Sequence, residues 1–334
     1  MPTTQISAGR AFSYLYNLGK NSVSRTGFMH PTALARGSGN MLYVASWGNE
    51  ATPCARITKC TLDHEWIADI GGPGDGDGQF LCPGGLALDK DENIYVSDQS
   101  VHKIVMFDKD GGFLGKWGES GSADGQLNRP SGLAFDKDDN LYISDTLNNR
   151  IQQFSKDGKF IKAWGEKGSG ESQLNMPWGI TVDKDGDVYV ADWGNDRIQK
   201  FSSDGKYLAS FGKSGDGKDA LNRPSDVAVD KDGDVYIADW GNNRVQVYEP
   251  DGSYLVTLSG DAVEPSPWSK MVIDVNPDYI KARALANLEP LRKLRRPSAI
   301  EVDQEGQIII AEAQHSRVQI YLKDTGYSEP ALTL

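Results

Sequence analysis

The chain has 334 residues, 38% of them hydrophobic and 25% charged, the balance of a soluble globular protein, and its formal net charge is −12. That charge argues against nucleic-acid binding through a basic surface and against adhesion to anionic membranes, and no apolar run approaches the roughly 20 residues of a membrane span. The start, MPTTQISAGRAFSYLYNLGK, lacks the basic segment and apolar core of a secretory signal, so a cytoplasmic location is expected.

The first predicted element is a strand over Tyr14–Gly19, standing before any complete unit. From Pro31 onward one pattern recurs, and Pro83, Pro130, Pro177 and Pro224 fall 47 residues apart. The copies PSGLAFDKDDNLYISDTLNNRIQQF from Pro130, PWGITVDKDGDVYVADWGNDRIQKF from Pro177 and PSDVAVDKDGDVYIADWGNNRVQVY from Pro224 align without a gap. A fixed period of this length marks one supersecondary unit repeated. In the copy from Pro130, GLAFD, NLYISD, RIQQFS and KFIKAWG read as four short strands between turns of Asp, Gly and Asn. Four antiparallel strands per repeat predict a propeller blade.

Pro31 to Pro83 is 52 residues, the period plus five, and Pro224 to Pro297 is 73, the period plus 26. Six blades follow, opening near Pro31, Pro83, Pro130, Pro177, Pro224 and Pro297. The sixth, about Ser298–Leu322, lacks its fourth strand. In the regular copies a Gly ends strand four and the next proline follows 12 residues later, and Gly19 to Pro31 repeats that spacing. The N-terminal strand is therefore expected to complete blade six and close the ring, which removes exposed sheet edges. The tail from Tyr327 is the second candidate, interrupted by Pro330. The whole chain, 1–334, then reads as a single all-β propeller domain with a short helical insertion at about 260–296, between blades five and six. In that insertion Asn276 and Pro277 cap a helix with Ile280, Ala284, Leu285 and Leu288 at helical spacing. A second short helix from Pro290 turns Leu291 and Leu294 inward and Arg292, Lys293, Arg295 and Arg296 outward. The segment is read as a lid or side wall.

The pattern P-x-G-hydrophobic-A-hydrophobic-D, then D-G-x-hydrophobic-Y-V-A-D-x-x-N-x-R-I-Q-x-F, resembles the NHL repeat over nearly the whole chain. The resemblance implies a six-bladed propeller and no single function, since similar proteins include RNA-binding modules, protein-docking modules, extracellular sensors and a metal-dependent amidating lyase. That lyase carries metal-binding histidines just after the blade-opening prolines. Here Thr32, Gly84, Ser131, Trp178, Ser225 and Ser298 stand there, so no zinc site of that kind, no metal and no cofactor are expected.

Several features read as architecture. The Asp183–Asp187 and Asp230–Asp234 segments suggest calcium loops, but the twelfth position from Asp183 is Gly194 where a Glu is needed, so tight turns are expected. The pairs Asp145/Arg150, Asp192/Arg197 and Asp239/Arg244 recur at one spacing and read as staples, with Asn148, Asn195 and Asn242 shaping the turn before strand three. Trp66, Trp117 and Trp164 occupy apolar strand-four positions. Cys54, Cys60 and Cys82 read as free thiols, a Cys54–Cys60 bridge being the alternative.

Departures from the repeat gather on the loops between strands two and three and those entering each blade, which meet on one face. After the strand-two acid stand Trp47, Gln99, Thr146, Trp193, Trp240 and Ala313. After the blade-opening proline, Trp178 breaks a series of small residues; one position on, Asp226 breaks another. Before each proline stand His30, Cys82, Arg129, Met176, Arg223 and Arg296. Both insertions, including the five extra residues around Glu50–Ala55, fall on the same face. His30, Trp47, Gln99, Arg129, Trp178, Trp193, Arg223, Trp240, Arg296 and His315 are the expected ligand-binding residues, and Asp226 is the expected catalytic acid/base if there is one. Indoles supply flat apolar walls and guanidinium groups forked donors for carboxylate or phosphate. The expected partner is a small anionic or ring-containing ligand bound by a sensor or scaffold. The alternatives are a lyase or hydrolase acting on a small anionic substrate at the same pocket, and a peptide- or protein-docking platform.

Overall fold

In a computed structural model that describes residues 4–48 and 54–327, six antiparallel sheets, five of four strands and one of five, stand around one channel. The five regular blades begin with the inner strands Pro31–Arg36, Pro83–Leu88, Pro130–Phe135, Pro177–Val182 and Pro224–Val229. Blade six begins with Pro297–Val302 and continues through Gln307–Glu312 and Arg317–Asp324. The second strands, such as Asn140–Asp145 and Val235–Asp239, are buried along nearly their whole length. They are covered on both faces because the hydrophobic cores lie between neighbouring blades. One core joins blades one and two through Tyr43, Ile57, Val96 and Phe107, and another joins blades four and five through Tyr189, Phe211, Val227 and Ile237. No blade buries its faces alone, so the ring has to close.

It closes as the 12-residue spacing indicates. The strand Arg10–Leu18 pairs antiparallel with Arg317–Asp324, from Ala11 opposite Asp324 to Leu18 opposite Val318. The sequence reading missed one addition, a short outer strand Thr4–Ser7 that folds back on Arg10–Ser13 and makes blade six five-stranded. The closing strand is also held by charge. Arg10 Nε lies 2.7 Å from Asp234 Oδ2, and the buried Lys323 ammonium lies 2.5 Å from Asp230, 2.7 Å from Asp234 and 3.0 Å from Asp232. The Asp-rich turn of blade five is thus an anchor for blade six. Its copy in blade four is a plain turn: Asp183 Oδ1 accepts the amides of Asp185 and Asp187, both at 2.9 Å, and Lys200 reaches Asp187 at 2.8 Å.

The other architectural expectations can be followed residue by residue. Arg150 Nε donates to Asp145 at 2.8 Å, Arg197 to Asp192 at 2.8 Å and Arg244 to Asp239 at 2.7 Å. The same arginines donate to carbonyls of the loop entering their own blade, such as Gln126 and Ala220. They fasten the turn after strand two to that loop. Trp117 and Trp164 pack on Phe154 and Tyr142, and all three cysteines are free thiols.

The insertion carries three helices, α1 (Pro267–Ile273), α2 (Pro277–Leu285) and α3 (Glu289–Arg292). Trp268 of α1 is its anchor: the indole is buried against Phe28 and its N–H donates to the His64 carbonyl at 2.7 Å. Asn17 and Arg317 donate to the Glu264 and Leu291 carbonyls, so the insertion lies along the flank where blade six meets blade one. It is a side wall; only Arg296, at its end, reaches the channel mouth. The expected inward face of α2 is not there. Ile280 is 49% and Leu285 79% exposed, Ala284 is exposed too, and no residue of α2 is buried. Leu294 is buried as expected, whereas Leu291 is 42% exposed. Glu50–Pro53, most of the blade-one insertion, lie outside the described residues. No helix among the described residues is long and apolar enough to cross a membrane.

Candidate functional site at the channel mouth

The loops that enter five of the six blades share one conformation. His30, Arg129, Met176, Arg223 and Arg296, each just before a blade-opening proline, have φ of 44°, 54°, 55°, 53° and 52°. The cost of this left-handed backbone is offset by a repeated hydrogen bond. The amides of Arg129, Met176, Arg223 and Arg296 donate to His102 Nδ1, Asn149 Oδ1, Asp196 Oδ1 and Asn243 Oδ1 of the preceding blade, at 2.7–3.0 Å. In three blades the turn after strand two is a 3-10 turn opened by Thr146, Trp193 or Trp240. These two loop sets therefore meet at four blade boundaries, and at three of them the residue opening one turn faces the residue before the next proline. Arg223 stacks over Trp193 and Arg296 over Trp240, both with the guanidinium carbon 4.8 Å from the ring centre. At the corresponding boundary Arg129 donates to Gln99 at 3.2 Å. Trp178 and Trp193 lie with ring centres 6.0 Å apart.

Around the axis these groups enclose a depression of about 500 Å³. Eight of the eleven expected site residues line it: His30, Trp47, Gln99, Arg129, Trp178, Trp193, Trp240 and Arg296. Cys82, Thr32, Ser225 and Ser298 line it as well and were not singled out. Arg223 is not a lining residue; it backs Trp193 from behind. His315 belongs elsewhere. Its Nδ1 is 3.0 Å from Glu312, and its side chain faces a separate small cavity beneath the insertion, beside Arg283 and Arg317. Its position in the turn after strand two suggested the mouth, but Glu312 holds the ring on the outer side. Among the described residues Arg129, Arg223 and Arg296 form no ion pair, although the chain is strongly acidic overall.

Below the mouth the channel narrows to a cavity of about 40 Å³. The inner strands touch there. A Cβ on Gly85 would lie 2.2 Å from the Ser131 carbonyl, and one on Gly132 2.4 Å from that of Trp178, which explains the small residues two places after each proline. Serines tie the strands together: Ser131 donates to the Trp178 carbonyl at 2.9 Å, Ser225 to Pro297 at 2.7 Å and Ser298 to Pro31 at 2.6 Å. Asp226 stands in this narrow part, under the depression rather than in its wall. Its Oδ2 accepts the Ile300 amide at 2.9 Å, and enclosure raises its pKa from 3.8 to about 7. Glu301, which the sequence reading overlooked, shares the cavity, and burial together with the Asp226 charge raises its pKa from 4.5 to about 8. The signal was available: four places after each proline stand Ala35, Ala87, Ala134, Thr181 and Ala228, and then Glu301. Among the described residues no group of three or more His, Cys, Asp or Glu side chains gathers in a metal-binding arrangement.

Comparison with known proteins fits this architecture. The NHL repeat family model matches residues 127–154, 174–201 and 221–248. No curated protein matches the sequence. Among solved structures, a protein of unknown function from Bacteroides thetaiotaomicron is similar at 19% identity with a TM-score of 0.66, over 94% of this chain and 76% of that one. A streptogramin B lyase is similar at 13% identity and TM-score 0.58, over 94% of this chain and 98% of its own. A gluconolactonase from Xanthomonas campestris is similar at 15% identity and TM-score 0.60, over 97% and 95%. At these identities the likeness is one of fold.

Proposed function

Because the chain is a six-bladed propeller with three matched NHL repeats, we propose that its channel mouth binds a small anionic ligand carrying a ring, as a sensor or scaffold does. The observation that carries this reading is the meeting of Trp47, Trp178, Trp193 and Trp240 with Arg129 and Arg296 around one depression of about 500 Å³. That volume suits a small molecule. Indole walls of this extent are costly to leave against water, and a guanidinium without a carboxylate partner is a ready donor to an anion. The cation–π stacking over Trp240 fixes the plane of Arg296 and leaves its N–H edges to face a ligand.

The test is a titration of intrinsic tryptophan fluorescence with benzoate, benzenesulfonate, sugar acids and their neutral analogues. Aromatic anions should change the emission and the neutral analogues should bind more weakly. Arg296→Gln and Arg129→Gln should each weaken anion binding by about 1 kcal/mol or more. If every small molecule leaves the emission unchanged while a peptide perturbs it, the mouth is a docking platform.

The second reading, a lyase or hydrolase, is favoured by one observation: Asp226 sits directly below the depression with a pKa near neutrality, the range suited to a general acid/base. The fold neighbours that are a lyase and a gluconolactonase support it only at the level of architecture. An Asp226→Asn variant that binds substrate but no longer turns it over identifies the enzyme.

A further inference from the structure

Two carboxyl groups from adjacent blades, Asp226 and Glu301, line the narrow channel immediately beneath the mouth. Each is the single acid in its ring of six equivalent positions. Asp226 stands with Ala33, Gly85, Gly132, Gly179 and Ala299; Glu301 stands with four alanines and Thr181. The two cavities adjoin: Thr32, Gly84, Trp178, Ser225 and Ser298 line both. A ligand seated among the indoles therefore looks down on the acid pair.

Little in the channel compensates that pair. The Asp226 carboxyl has the backbone amides of Ile300 and Val227, and its Oδ1 lies so close to Gly179 that a Cβ there would meet it at 2.2 Å. The Glu301 carboxyl makes no hydrogen bond and no ion pair among the described residues; its electrostatic neighbours are Asp226 and Arg36. Arg36 is committed elsewhere, to Asp303 at 3.3 Å and to the Met41 carbonyl at 2.7 Å. The inner strands of blades two, three and four bring no titratable side chain to the cavity. Two carboxylates in so narrow a space cannot both stay charged at little cost, and the easiest neutralisation is a proton.

We propose that Asp226 and Glu301 form a proton-holding floor to the mouth site, so that an anionic ligand binds there together with a proton. This rests on the mouth being an anion site, and it adds how that site is regulated. The proton comes from solvent and stays on the carboxyl pair; no bond to the ligand forms. The direction follows from charge. Well below pH of about 7 both groups are neutral, and well above about 8 both are ionised and repel an anion from below. Affinity should fall as pH rises through that window.

The experiment has two parts. First, infrared difference spectra of the ligand-free protein between pH 6 and pH 9 should show carboxylic C=O bands lost on ionisation, one absent in Asp226→Gly and one in Glu301→Ala. These substitutions restore the residues found at the equivalent positions of other blades, so they are chosen to fold, and Asp226→Asn and Glu301→Gln serve as second variants. Second, benzenesulfonate and benzoate, whose charge is constant over this range, are titrated calorimetrically in buffers of different ionisation heat. Expected is net proton uptake near pH 7.5 and affinity on the order of tenfold weaker at pH 9 than at pH 6, both abolished in the double variant. Carboxyl bands that titrate below pH 5, or probes that bind without proton uptake, overturn the proposal while leaving the mouth site standing. Probes that do not bind at all overturn the mouth site itself, and the coupling with it.

Discussion

At the scale of single residues, the acids in the channel have a consequence for stability as well as binding. The folded pKa of Asp226 is raised to about 7, above its ordinary value of 3.8. The folded protein therefore holds a proton that the unfolded chain has released between those values. The stability this group contributes is fully present below pH of about 4 and is lost as pH rises through about 7. Asp226→Asn keeps an acceptor for the Ile300 amide and removes the ionisation. It should be more stable than the parent at pH 8 by about 1–3 kcal/mol, with no such advantage at pH 4. Urea unfolding at the two pH values checks this; parallel pH dependence in parent and variant would contradict it. Much of the mouth was legible because a repeat makes every substitution visible against its own copies. Trp178 and Asp226 each interrupt a series of small residues, and Trp47, Trp193 and Trp240 alternate with Gln99, Thr146 and Ala313 at one position of the repeat. Glu301 interrupts a series too, that of Ala35, Ala87, Ala134, Thr181 and Ala228. His315 misled because sequence position fixes the loop, whereas Glu312 and Arg317 fix the direction of the ring.

At the scale of elements, the strands were readable and the insertion was only half so. Apolar runs bounded by Asp–Gly turns define strands by local chemistry, whereas a helix of nine residues takes its orientation from whatever surface it finds. In α2 the spacing of Ile280, Ala284 and Leu285 is helical, and α2 is a helix, yet none of its residues is buried. The contact that holds the insertion is made instead by α1, where Trp268 sits in the core between blades six and one. No apolar period marks that residue in the sequence. Trp268→Ala should cost about 3–5 kcal/mol of stability, since it empties a large buried volume and removes a donor to the His64 carbonyl. Because α1 contributes nothing to the mouth, binding of aromatic anions should survive the substitution at temperatures where the protein stays folded. Loss of binding in folded Trp268→Ala would mean that the insertion acts on the mouth, as the lid reading had it.

At the scale of the whole molecule, the period alone gave the number of blades, and the spacing from Gly19 to Pro31 gave the closure, because a propeller with an open edge leaves one sheet unpaired. The charge holding that closure was not legible, since Lys323 meets the Asp230–Asp234 turn only when blades five and six stand side by side. The same ring geometry brings the mouth tryptophans together, and it supplies its own control. Of eight tryptophans, Trp47, Trp178, Trp193 and Trp240 line the mouth, whereas Trp66, Trp117, Trp164 and Trp268 pack in cores. Fluorine NMR of protein carrying 5-fluorotryptophan, titrated with benzoate or benzenesulfonate, reads all eight at once. Saturable shifts of the four mouth resonances with the other four unmoved are the predicted result. Shifts confined to the core set, or none at any concentration, would contradict a ligand site at the mouth.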